Sequence, residues 1–221
     1  MKYVIYLFTF IFPFVLSSSL PQNPTVRSGS AGFSANSVQQ SSQRAVIDWE
    51  SFSVGKNNEF RFDQPNASSA TLNRVTGNSR SDIMGKLTAD GSVWLLNRNG
   101  VIVGENARIE TGSFLASTLD LSADARDRFM NGNTFLLSGD SDASVEILGE
   151  VDAAGGKVAV FAKDIKTGKD SRIRADEVEL ASGRAIYVNS SMTGVNVLVG
   201  AEGEVALDGD IEAGVKARID A

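Results

Sequence analysis

The chain has 221 residues, 42% of them hydrophobic, a formal charge of −6, and neither cysteine nor histidine. That composition excludes zinc sites built on Cys or His, a Ser-His-Asp triad, a Cys-His pair, disulfides and a haem histidine ligand. The acidic balance disfavours a broad basic surface for nucleic acid.

Met1 and Lys2 precede an almost wholly apolar run from Val4 to Leu16, and Ser17-Ser18-Ser19 follows it. The apolar run is shorter than the roughly 20 residues a membrane-spanning helix needs, and it matches the core of a secretory signal. Residues 1–19 are read as a signal peptide cleaved after Ser19, and residues 20–221 as one domain.

Leu20 to Arg44 is rich in Ser, Gln, Asn and Gly with isolated apolar residues, which suits extended segments forming a cap. Ala45 to Trp49, Phe52 to Val54 and Glu59 to Phe62 read as strands. The last of these alternates apolar with polar residues, as a half-buried strand does. Their aromatics suit one end of an elongated core. Ala70 to Gly77 is a further strand-and-turn unit. All four prolines lie at or before Pro65, leaving a long tract in which every residue keeps its ladder donor. After Phe135 the only aromatics are Phe161 and Tyr187, so the later core is aliphatic and narrow.

From Leu87 a short pattern recurs. Leu87-Thr88-Ala89 is followed by Gly91 and Val93-Trp94-Leu95. Ile109-Glu110-Thr111 is followed by Gly112 and Phe114-Leu115-Ala116. Further copies begin at Val151, Ile173, Met192 and Ile211, with second halves at Val158, Val178, Val195 and Val215. Successive first halves lie 22, 42, 22, 19 and 19 residues apart, the 42 being read as two rungs of 21. A period near 20 with one strand-turn-strand unit per period signals a β-solenoid, in which no coil buries its inner face alone. A sandwich of hairpins is the alternative, because Asn99-Gly100 is also a hairpin turn signal. A leucine-rich repeat lacks its Leu/Asn template here. The in-phase recurrence favours the solenoid, with a cap over about residues 20–80 and coils over about 81–221.

Ser122 to Gly132 breaks the rhythm. A capping serine, an early Asp, late Arg residues and a terminal Asn-Gly predict a helical turn or two projecting from the additional coil.

Asp140, Asp142, Glu146, Glu150 and Asp152 lie close in sequence, but alternation makes them solvated turn and outward strand positions. No calcium-loop pattern is present. Asn97, Asn99 and Gly100 suit a tight corner, since Asn and Gly tolerate left-handed geometry and Asn bonds neighbouring backbone. Arg74 is placed to pair with a carboxylate on an adjoining coil.

Four ordered motifs carry a family resemblance: R-A-V-I-D-W-E-S-F-S-V-G (Arg44 to Gly55), L-N-R-V-T-G (Leu72 to Gly77), I-M-G-K-L-T-A-D-G-S-V-W-L-L-N-R-N-G-V-I-V-G (Ile83 to Gly104) and G-S-F-L-A-S-T-L-D-L-S (Gly112 to Ser122). They resemble the haemagglutination-activity, or two-partner-secretion, domain that opens filamentous haemagglutinins and high-molecular-weight adhesins of Gram-negative bacteria. The resemblance implies an all-β, right-handed parallel β-helix with an N-terminal β cap. It implies passage of the inner membrane by the Sec machinery, transient periplasmic passage, and recognition by an outer-membrane β-barrel transporter through POTRA modules. Folding then proceeds coil by coil at the cell surface or outside. The family motif N-P-N-G maps onto Asn97, Asn99 and Gly100, with Arg98 in place of proline. Asn73 and Arg74 join them as candidate recognition or structural residues. The absence of a second motif, N-P-N-L, points to the adhesin-like branch. No enzyme activity, cofactor or metal is expected, and the alternative function is an extracellular β-helix that binds or cleaves polysaccharide.

Overall fold

A computed structural model describes residues 20–220, so the signal peptide read from residues 1–19 lies outside the described residues. The chain opens with β1 (Thr25–Ser28) and β2 (Ala31–Phe33), followed by β3 (Ser37–Gln40), β4 (Arg44–Trp49), β5 (Glu59–Asp63), β6 (Ala70–Val75) and β7 (Ser81–Ile83). Next come β8 (Lys86–Ala89), β9 (Ser92–Leu96), β10 (Val101–Val103), β11 (Arg108–Glu110) and β12 (Ser113–Ser117). Helix α1 (Ala123–Met130) precedes β13 (Ser144–Ile147) and the long, bent β14 (Glu150–Thr167), β15 (Arg172–Val188) and β16 (Ser191–Ala201). The described chain ends with β17 (Glu204–Leu207) and β18 (Ile211–Asp220).

These strands wind into a parallel β-solenoid of about eight turns. Three parallel ladders run along it. The first passes β3, β5, β8, β11, β14, β15, β16 and β18 in turn. The second passes β4, β6, β9, β12 and the second segments of β14, β15, β16 and β18. The third joins β7, β10, β13 and the final segments of β14 and β15 to β17.

Strand alternation places one apolar residue per coil in each inward column. In the first ladder that column is Phe60, Leu87, Ile109, Val151, Ile173 and Met192, each no more than 2% exposed. Burying one such side chain is worth about 1.5–3 kcal/mol, and it is realised only when the next coil is in place. Backbone N–H and C=O groups find partners along the same stack.

At the N-terminal end, β1 lies antiparallel on β4 and β2 antiparallel on β3, covering the edge of the first coil. Trp49, Phe52, Phe60 and Phe62 pack edge-to-face and stacked in the core of the first two coils, with Phe33 against Trp49.

The repeat reading needs three corrections. Parallel stacking begins at Ser37, where β3 pairs with β5, and not near residue 81. The early coils carry aromatics and polar residues in place of the I-x-A/T signature, so the repeat is invisible there. Second, the 42-residue spacing is one coil and not two, because Ile109 pairs directly with Val151 and Val101 with Val145. The surplus length leaves the stack as an excursion between β12 and β13. Third, the partners of Val178 and Val197 in the following coils are Val197 and Ala217, not Val195 and Val215. A shift of two residues preserves the inward-outward alternation, so sequence alone does not distinguish the two registers. Val195 is 42% exposed and Val197 only 2%.

The excursion contains the predicted helix. Ser122 Oγ accepts from the Ala125 N–H at 3.1 Å, Asp124 sits in the first turn and Arg128 in the last, in keeping with capping and the helix dipole. Its apolar side, with Phe129 1% exposed, packs back on the outside of the second ladder.

Candidate functional site

Asn97 to Gly100 forms the corner between β9 and β10. The turn is closed by the Gly100 N–H donating to the Asn97 carbonyl at 2.9 Å. Asn97 is 0% exposed, and its amide Nδ2 donates to the Ser79 carbonyl at 3.0 Å and to Ser81 Oγ at 2.9 Å. Its Oδ1 accepts from Asn99 N and Asn99 Nδ2 at 2.9 and 3.0 Å. Asn99 Nδ2 also donates to the Gly77 carbonyl at 2.9 Å. The corner is therefore bolted to the equivalent corner of the preceding coil, Thr76 to Arg80.

Gly100 has φ +103°, and a Cβ there would lie 3.0 Å from the Ser144 carbonyl oxygen. Only glycine takes that backbone without strain. From the following coil, Ser141 Oγ donates to the Arg98 carbonyl at 2.6 Å. The Arg98 side chain is the exposed one of the four. The corner thus holds its two asparagine amides inward and offers outward an arginine on a fixed backbone.

Asn73 is elsewhere. It points inward from β6, in register between Ile47 and Leu95, and is 0% exposed. Its Oδ1 accepts from the Trp49 indole N–H at 3.0 Å, and its Nδ2 donates to the Thr71 and Trp94 carbonyls, each at 3.3 Å. A polar group in an apolar core is tolerated because every polar atom is matched.

Arg74 points to the opposite side of β6. Its guanidinium donates through Nε to Asp120 Oδ1 at 2.6 Å and through Nη2 to Oδ2 at 3.0 Å, a bidentate pair. Arg74 Nη1 also lies 3.7 Å from Asp48 Oδ2, which Arg27 Nε reaches at 2.7 Å. Burial pushes the Asp120 carboxyl upward, but the hydrogen bonds from Arg74 and the Leu121 N–H, with the charges of Arg74 and Arg98, hold it below the ordinary value. The expectation of a carboxylate on an adjoining coil is met at longer range by Asp48 of β4, while the tighter, bidentate partner, Asp120, sits in the excursion and not in a regular coil.

The five predicted motif residues therefore divide into a corner (Asn97, Asn99, Gly100), a core position (Asn73) and an outward ion pair (Arg74). The sequence reading missed the residues that close over them: Asp120, Phe129 and Phe135 from the excursion, and Trp94 beneath. Trp94 pointing outward from β9 lies 5.0 Å from the Phe129 ring and 5.5 Å from that of Phe135, centroid to centroid. The available signal was the uninterrupted apolar run Val93 to Leu96, which marks a strand buried on both faces.

The acidic group singled out in sequence does not converge on a cleft. Glu150 pairs with Arg108 at 3.3 Å and Asp152 with Arg174 at 2.6 Å, rung to rung on the outer surface. Among the described residues no cluster of three or more Asp or Glu side chains is arranged to hold a metal ion.

Residues 14–220 match the family described as TPS secretion domain. The chain is 35% identical over 194 residues to a heme/hemopexin-binding protein of Haemophilus influenzae strain Rd, covering 86% of this chain and 21% of that protein. A second Haemophilus influenzae heme/hemopexin-binding protein is 48% identical over 84 residues, covering 38% of this chain and 9% of that protein. The chain thus spans about a fifth of the length of the first of these relatives. The crystal structure of the HMW1 secretion domain from Haemophilus influenzae has the same fold, with a TM-score of 0.55 and 21% identity over 90% of this chain and 73% of that one. On the extent of the family match and the solenoid that underlies it, this chain belongs to the two-partner-secretion domains, the export modules of secreted exoproteins.

Proposed function

We propose that this domain is the export address and folding start of a larger exoprotein, read by the POTRA modules of a dedicated outer-membrane β-barrel after Sec-dependent passage of the inner membrane. The observation that carries the reading is the family match over residues 14–220. The architecture suits the task. Each coil is stabilised mainly by its neighbour, so a chain emerging from its N-terminus has a surface to fold on as soon as the aromatic first coils are in place.

Asn97, Asn99 and Gly100 act in this reading by fixing the corner's shape, and Arg98 is what a partner meets there. Asn73 and Arg74 act through stability. The test is deletion of residues 20–122 in the full exoprotein co-expressed with its transporter. Loss of the protein from the medium and cell surface is expected. Unimpaired export of the deleted form overturns the reading.

A second reading concerns the exoprotein as a whole. The motif pattern points to an adhesin, whereas the 35% identity is to a heme/hemopexin-binding protein. We propose the latter class for the full exoprotein. Retention of the secreted full-length protein on hemopexin resin, compared with adherence to epithelial cells, separates the two.

A further inference from the structure

A solenoid ordinarily couples only adjacent coils. The excursion between β12 and β13 departs from that rule. It leaves the fourth coil and runs back toward the N-terminus over the outside of the second ladder. Asp120 grips Arg74 on β6, two coils back. Phe129 packs beneath the Arg44 guanidinium of β4, 5.3 Å from the ring centroid, in the first coil. The outward column Val46, Leu72, Trp94 and Leu115, one residue from each of four successive coils, forms one apolar cluster with Phe129 and Phe135. The excursion then returns, bridging Ser138 to Asp120 and anchoring Ser141 on Arg98.

Among the described residues no second excursion crosses the coils beyond β14, although Ala159 on β14 is still only 2% exposed. The same outward column continues as Ala159, Glu179 and Leu198, and Leu198 is 39% exposed. Their inward columns are aliphatic, whereas Trp49, Phe52, Phe60, Phe62 and Phe114 all lie in the strapped half.

We infer that the excursion from Thr118 to Ala143 is a strap that welds the cap and the first four coils into one cooperative folding unit, which stays closed while the later coils open. The strap links coils that do not touch through the stack, so opening one of the four requires opening them all. The coils from β15 onward are held by nearest neighbours alone and open one at a time.

Hydrogen exchange read by mass spectrometry on the full secreted chain tests this. Amides of β4, β6, β9 and β12 are expected to exchange at a common rate, at least about tenfold slower than those of β16 and β17. Phe129→Ala raises that common rate about tenfold or more and leaves β16 and β17 unchanged. Asp120→Asn, which keeps the side-chain shape, produces the same pattern with a smaller factor and decides the matter if Phe129→Ala does not fold. Uniform protection along the wild-type solenoid overturns the inference. So does acceleration confined to α1 and its loops, or acceleration that reaches β16 and β17 equally.

Discussion

Asn97 and Asn99 are bonded to one another: a single oxygen, Asn97 Oδ1, accepts from both the backbone and the side-chain amide of Asn99 at 2.9 and 3.0 Å. With Asn97 fully buried, its loss leaves the Asn99 N–H, the Ser79 carbonyl and the Ser81 hydroxyl short of a partner. Asn97→Ala is expected to lower the unfolding free energy by about 2 kcal/mol, read from the urea midpoint. In the exoprotein, the Asn97→Ala, Asn99→Ala double variant is expected to lose export and stability together. Loss of export with an unchanged midpoint would mean that a partner reads the asparagines directly.

Gly100 is held at φ +103° beneath the Ser144 carbonyl. Gly100→Ala combines left-handed strain with a close contact and is expected to cost about 1–3 kcal/mol. Thermal melting compared with an alanine replacement at the outward Gly183, whose Cβ meets nothing nearer than 3.7 Å, isolates the backbone contribution.

Trp49 and Asn73 form a buried polar pair inside the aromatic end of the core. Asn73→Ala strands the indole N–H and is expected to destabilise by about 1–3 kcal/mol. Adding Trp49→Phe to Asn73→Leu removes both polar partners, and the double variant is expected to recover part of that loss. A double-mutant cycle in urea gives the coupling, and strict additivity would contradict the pairing.

The ion pair between Arg74 and Asp120 predicts an acid limb. Asp120 titrates lower in the fold than in the unfolded chain, so its contribution is present above the unfolded value, about 4, and disappears as pH falls through the folded value. Arg74, raised by its bond to Asp120 against the cost of burial, stays charged throughout. Wild type and Asp120→Asn are expected to differ at neutral pH and to converge in acid. Asp120 is 41% exposed, so screening keeps the difference to about 1 kcal/mol or less. A constant gap between the two pH profiles would assign the effect to shape and not to charge.

Much of the architecture was legible because a stacked coil writes the same residue type at the same interval. The inward column from Leu87 to Ile211 is the repeat itself, and four of its five steps are the register pairs expected, the exception being Ile109 to Val151, a single rung where two were expected. The helix at Ala123 was legible for a local reason, since its serine cap and charges act within one turn. The corner was legible too, because Asn and Gly are chosen by backbone geometry.

What the sequence by itself determined was everything set by neighbours along the chain: strand alternation, the coil interval, the helix cap and the Asn-Gly turn. Only the tertiary structure decided which coils are adjacent and what covers them. The 42-residue step is one coil with an excursion, and the second halves of the last coils sit two residues later than their pattern suggests. The partners Asp120 for Arg74, Asn73 for Trp49 and Phe129 for Trp94 lie 46, 24 and 35 residues apart in no repeating relation. The physical reason is that a period-two strand accepts any even shift, and a strap is placed by the apolar surface it buries, which exists only after the coils beneath it have stacked.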